Sequence, residues 1–105
     1  MRKHKYNAIK TVIDGITFDS KLEAKRYSQL KILERSNEIS NLELQIPMHI
    51  VINDVKICKY ICDFRYTCNG KVIHEDAKGM TTPVFNLKKK LVKAVHGVDI
   101  TIYKG

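Results

Sequence analysis

The sequence predicts a single small α/β domain, a mixed sheet flanked by helices. Three observations carry that reading. Two helix starts are legible, at Asp19-Ser20 and at Thr82-Pro83. Between them lie three strand-like stretches separated by turn residues, and one more alternating stretch follows the second helix. The length of 105 residues, 44% of them hydrophobic, suits one core and is too short for two. The order hairpin, helix, three strands, helix, strand therefore points to an α/β layer arrangement over residues 1–105.

The first ten residues form a basic arm carrying Arg2, Lys3, Lys5 and Lys10. It reads equally as a frayed terminus or as a tail that touches phosphates. Thr11 to Phe18 has a hairpin pattern turning at Asp14-Gly15. Ser20 and Glu23 then have S-x-x-E capping-box spacing, and good helix formers continue to about Asn37. At 100° per residue, Leu22, Tyr27, Leu30 and Leu33 cover an arc of roughly 140°. Glu23 falls near the middle of that arc, whereas Lys21, Lys25 and Lys31 fall outside it. Two readings of Glu23 stay open: an acid completing its own cap, or an acid turned toward the core.

Residues 42–52 read as a strand, with Pro47 suggesting an edge or a bulge. Asn53-Asp54 turns the chain into a strand from Val55 to Thr67, and Asn69-Gly70 turns it again into Lys71 to Ala77. After a loop from Gly79 to Thr82, Thr82 caps the second helix and Pro83 takes its first position. That helix offers Val84, Phe85, Leu91, Val92 and Val95 for burial and carries Lys88, Lys89, Lys90 and Lys93. Gly97 stops it, and Val98 to Tyr103 alternates as a last strand.

A net charge of +8 favours a polyanionic partner, with nucleic acid foremost. No apolar run approaches the ~20 residues that span a bilayer, and no signal-peptide core follows the N-terminal Met-Arg-Lys-His-Lys. A cytoplasmic protein with no membrane contact is the expectation. Cys58, Cys62 and Cys68, odd in number and in a reducing compartment, are then expected as free thiols; a zinc site from them with His49, His74 or His96 lacks the paired CxxC spacing.

The chemistry gathers on the hairpin from Lys59 to Gly79. Asp63 interrupts an aromatic and β-branched strand, and the partner strand runs into Glu75-Asp76-Ala77-Lys78. By strand alternation Asp76 and Lys78 share a face and Glu75 points away, so Asp63 and Asp76 can meet. Two carboxylates at the end of an apolar hairpin need a cation to offset them. With Glu23 they make a set of hard oxygen donors suited to Mg²⁺ or Mn²⁺. The plainer reading is an Asp76–Lys78 surface ion pair, which contributes little.

These residues carry a resemblance. Asp63, twelve intervening residues, then Asp76-Ala77-Lys78 resembles the D…(D/E)-x-K signature of the PD-(D/E)XK nuclease superfamily. Phe18-Asp-Ser-Lys-Leu-Glu-Ala-Lys-Arg26 is similar to the F-x-S-x-x-E helix start of its phage-encoded and transposase-related members. The element order matches the superfamily's α-β-β-β-α-β core over about residues 18–103. Cys62 stands where the motif's name has proline, and Glu75 beside Asp76 leaves a bulge able to exchange the two acids.

The resemblance implies a restriction-endonuclease-like domain, preceded here by a hairpin, and a Mg²⁺- or Mn²⁺-dependent DNA endonuclease. Asp63, Asp76 and the Ala77 carbonyl would be metal ligands, Glu23 would serve a second metal or its water, and Lys78 would be the catalytic lysine. Lys88 is a guess for an assisting polar residue. The phage-encoded Holliday-junction-resolvase-like family is the nearest in pattern, which implies a homodimer acting on branched DNA in a host bacterial cytoplasm. Arg2, Lys3, Lys5, Lys88, Lys89 and Lys90 are the candidate DNA contacts, gripping phosphates without reading bases. The alternatives are an endonuclease with no junction preference and a non-catalytic nucleic-acid-binding protein on the same fold.

Overall fold

A computed structural model of the chain describes residues 9–105. Arg2, Lys3 and Lys5 of the predicted arm lie outside the described residues. The elements are β1 (Thr11–Ile13), β2 (Ile16–Phe18), α1 (Lys21–Arg35), β3 (Ser40–Ile52), β4 (Val55–Cys68), β5 (Lys71–Ala77), α2 (Pro83–His96) and β6 (Ile100–Tyr103). Strands β1 and β2 form a separate hairpin, and the main sheet runs β3-β4-β5-β6. Its first two pairings are antiparallel, while β5 and β6 are parallel and α2 supplies the crossover they require. No described helix is long and apolar enough to cross a membrane.

All three predicted turns form, for a common reason. Asp14-Gly15 (φ 53° and 76°), Asn53-Asp54 (50° and 65°) and Asn69-Gly70 (52° and 77°) each place two residues in the left-handed region, as a type I′ turn demands. The first hairpin is anchored on α1: the Tyr27 hydroxyl donates to Asp14 Oδ2 at 2.8 Å, and the Phe18 and Tyr27 rings lie 5.0 Å apart.

The predicted boundaries shift at four places, the smallest being β4, which runs one residue past Thr67 to Cys68. Helix α1 ends at Arg35 rather than near Asn37, because Asn37 turns left-handed at φ 62° and its amide closes on the Glu34 carbonyl. Strand β3 begins at Ser40 rather than Leu42, through an irregularity between Ser40 and Glu43. Strand β6 begins at Ile100 rather than Val98, with Asp99 engaged by Lys93 at 2.9 Å. Pro47 lies on β3, an edge strand, as expected.

The core has two clusters. Helix α1 contributes Ala24, Tyr27 and Leu30 to the first, against Phe64, Tyr66 and Ala77. Helix α2 contributes Phe85 and Val92 to the second, against Ile46, Met48, Ile50, Tyr60, Cys62 and Ile100. Strand β4 thus changes cluster between Cys62 and Phe64, at Asp63. Val84 and Val95, expected to be buried, are 63% and 37% exposed. The buried ridge of α2 runs through Phe85 and Val92, and those two valines lie roughly a quarter-turn round the helix from it.

Candidate active site

The site lies where the sheet divides. Strands β4 and β5 pair from Cys68↔Lys71 up to Phe64↔Glu75, and there the ladder stops. The next residues are Asp63 and Asp76. Asp76 Oδ1 accepts the Asp63 amide at 2.7 Å, and Asp63 Oδ2 accepts the Ala77 amide at 3.0 Å. Each carboxylate therefore replaces a ladder bond that the parting strands have lost. Asp76 is 1% exposed, and its second oxygen, Oδ2, has no hydrogen-bond partner among the described residues. Burial raises the pKa of both acids; the backbone amides and the nearby Lys78 charge pull them partly back.

Glu23 joins from α1. Its amide donates to Ser20 Oγ at 3.1 Å, so the cap forms. Its carboxylate is turned inward, where Oε2 accepts from Gln45 Nε2 at 2.9 Å. The serine half of the capping box thus forms, whereas the Glu23 carboxylate follows the other reading and is turned toward the core. Burial, then the charge of Asp63, pushes its pKa up from 4.5 to about 7. Burial is likewise the main cause of the raised pKa of Asp63. Asp63 is the link: its charge acts on Glu23 on one side, and it is hydrogen-bonded to Asp76 on the other.

Lys78 does not make the expected ion pair with Asp76 among the described residues. Its Nζ sits 5.1 Å from the centre of the Phe85 ring, a cation–π placement that holds the charge near both acids without neutralising either. Its amide donates to the Tyr103 carbonyl at 3.0 Å, tying the motif to β6.

The ambiguity between Glu75 and Asp76 resolves through Arg26. Glu75 is 2% exposed and accepts from Arg26 Nε at 2.6 Å, Arg26 Nη2 at 3.0 Å and the Tyr66 hydroxyl at 2.6 Å. Arg26 also lies 4.5 Å from the centre of the Tyr103 ring. Glu75 is committed to Arg26 of α1 and Tyr66 of β4, so Asp76 is the acid that faces Asp63, as strand alternation predicted.

Sequence reasoning missed Arg26 and Gln45. Arg26 follows Glu23 by one helical turn, a spacing that was legible, but its partner was not. Gln45 gave no signal. Its φ of 53° is strained for a non-glycine residue inside a strand, and in register it stands opposite Asp63.

Among the described residues no group of three or more His, Cys, Asp or Glu side chains is gathered to hold a metal ion. The expected triple convergence is instead a chain of acids with Asp63 in the middle. The donors still suit a hard divalent cation. All are oxygens, and Asp76 Oδ2 is a buried acceptor lacking the partner such groups need. Of the predicted DNA-contacting lysines, Lys89 and Lys90 line a cavity of about 540 Å³ on α2 with Lys93 and Asp99. Lys88 instead donates to the Lys59 carbonyl at 3.4 Å.

A family model described as "Protein of unknown function (DUF1064)" matches residues 3–102. The chain belongs to the DUF1064 family. No curated protein and no solved structure matches it. In this DUF1064 domain the matched span takes in the whole acidic site and every element except the last residue of β6.

The raised acids give the domain an unusual pH response. Between 4.5 and about 7 the unfolded chain has released the Glu23 proton while the folded one still holds it. Folding binds a proton in that window, so stability falls as pH rises through it. Asp63 and Asp76, also raised, act in the same direction from lower pH. Thermal melts in EDTA should show the parent losing several degrees relative to Glu23→Gln between pH 5 and pH 7.5. Parallel curves for the two proteins would remove Glu23 from the buried cluster.

Proposed function

We propose that this DUF1064 domain is a metal-dependent DNA endonuclease with a restriction-endonuclease-like core, acting as a two-fold dimer on branched DNA. One observation carries the reading: buried acids from α1, β4 and β5 stand in a row, Glu23, Asp63 and Asp76, where β4 and β5 part, with a lysine nearby. Glu23, Asp63 and Asp76 all have pKa values raised by burial. Such perturbed acids, set side by side, mark a functional site more often than a structural one.

Asp63, Asp76 and the Ala77 carbonyl would hold Mg²⁺ or Mn²⁺, with Glu23 beside them. When bound, such an ion polarises the phosphodiester and lowers the pKa of an attacking water. The chain's own groups divide the remaining work. Glu23, with its pKa near 7, exchanges a proton at neutral pH. Lys78, held over Phe85, offsets charge that builds on the phosphoryl oxygens. The clasp between Asp63 and the Asp76–Ala77 segment keeps both strand ends in place.

The finer reading, junction resolution, rests on sequence pattern and on symmetry. Paired nicks across a junction need two sites, and one chain supplies one. The exposed Met80, Val84 and Leu87 on and before α2 offer apolar surface for a second copy. The +8 charge favours backbone contacts over base readout.

A second reading is favoured by the same clasp: with Asp63 and Asp76 each bonded to a backbone amide, the acids could serve only to close the sheet. The domain would then bind nucleic acid without cutting it. Purified protein on a labelled four-way junction and on matching duplex, with Mg²⁺ and with EDTA, separates the two. Paired, Mg²⁺-dependent nicks in the junction are expected. Cuts in both substrates would leave an endonuclease without junction preference. Tight binding with no cuts in Mg²⁺ or Mn²⁺ would leave the binder.

A further inference from the structure

A second polar surface lies beside the acids. Glu43, Arg65 and His74 form one row across β3, β4 and β5, paired in register as Glu43↔Arg65 and Arg65↔His74. Arg65 follows Asp63 by two residues and His74 precedes Asp76 by two. By strand alternation the row projects on the side of the carboxylates, about 7 Å further along the strands. The row borders an open cavity of about 530 Å³ that Asn41 and Thr67 also line.

Arg65 is prepared for an anion. Its Nε donates to Glu43 Oε1 at 2.7 Å, which aims the guanidinium. Among the described residues, its two Nη groups have no protein acceptor. A guanidinium held by one edge with its outer N–H groups open is the arrangement that takes a phosphate in two parallel bonds. His74 and Thr67 add hydrogen-bonding groups on the same wall.

We propose that this groove holds a backbone phosphate of the DNA strand next to the one being cut, bound by Arg65 with His74 and Thr67. The proposal rests on the endonuclease reading and extends it to the track of the strand. Glu43 has two effects there. It orients Arg65, and its negative charge opposes the phosphate, which weakens binding away from the correct placement. The contact positions the strand and reads no base.

The sign of two substitutions separates this role from a bracing ion pair. The Arg65–Glu43 pair is half exposed and contributes little to stability, so both variants fold. Binding is measured by fluorescence anisotropy on a labelled four-way junction, with Ca²⁺ in place of Mg²⁺, over a salt series. Arg65→Ala should weaken binding about ten-fold and lower the slope of log K against log salt by about 0.9. Glu43→Gln, which keeps the acceptor and removes the charge, should tighten binding several-fold. Arg65→Lys should restore the slope but only part of the affinity. An unchanged slope in Arg65→Ala, or a loss of affinity in Glu43→Gln, overturns the groove and leaves the endonuclease reading standing. A parent protein that binds no DNA overturns both.

Discussion

Asp76→Asn should lower the rate of DNA cleavage by about 10³-fold or more while leaving the domain folded. A divalent ion contributes several kcal/mol to phosphodiester hydrolysis, and each 1.4 kcal/mol is about ten-fold in rate. Asparagine keeps an oxygen able to accept the Asp63 amide, so the clasp at 2.7 Å survives. It also removes a buried acid whose pKa is raised, so metal-free stability should hold or rise. Loss of activity without loss of melting temperature is the signature expected of a ligand. Asp63→Asn should behave alike, since its bond to the Ala77 amide also survives. Full cleavage by both variants would end the assignment of this site.

Glu75→Ala should produce the largest loss of stability. Arg26 and Glu75 form a two-point ion pair with side chains only 18% and 2% exposed. Removing the acid leaves a guanidinium and the Tyr66 hydroxyl without their acceptor, and breaking a buried pair this way costs about 3–5 kcal/mol. Domains of this size hold only about 5–15 kcal/mol in total, so the melting temperature should drop by about 15 °C or more. The double variant Arg26→Met with Glu75→Leu should recover much of that loss, because the desolvation of both charges disappears with them. Similar melting for Glu75→Ala and parent would mean that water reaches the pair. The consequence reaches the site as well. Arg26 is one turn beyond Glu23, and Glu75 adjoins Asp76, so this bridge sets where α1 presents Glu23 to Asp63.

Much of this molecule was legible because it depends on short-range rules. Two φ > 0 residues in succession specify a tight turn, and Asp14-Gly15, Asn53-Asp54 and Asn69-Gly70 each supply them. The caps at Ser20 and Thr82 and the stop at Gly97 are likewise local. Alternation along β5 was enough to send Asp76 and Glu75 to opposite sides. Burial along α2 was less legible, since Val84 and Val95 belong to an apolar arc wider than the face that finds a partner.

Sequence by itself thus determined the element order, the turns, the caps, and the candidate status of Glu23, Asp63, Asp76 and Lys78. Tertiary structure alone decided what each of those groups touches. Glu23 turns to Gln45, Lys78 settles over Phe85 rather than on Asp76, and Glu75 is claimed by Arg26, 49 residues away in the chain. The reason is physical. Backbone periodicity sets which side a residue leaves from, but the environment that raises an acid's pKa or claims its oxygens comes from segments distant in sequence. The division of the sheet at Asp63 has the same origin: it depends on β3, β5 and α2 arriving together.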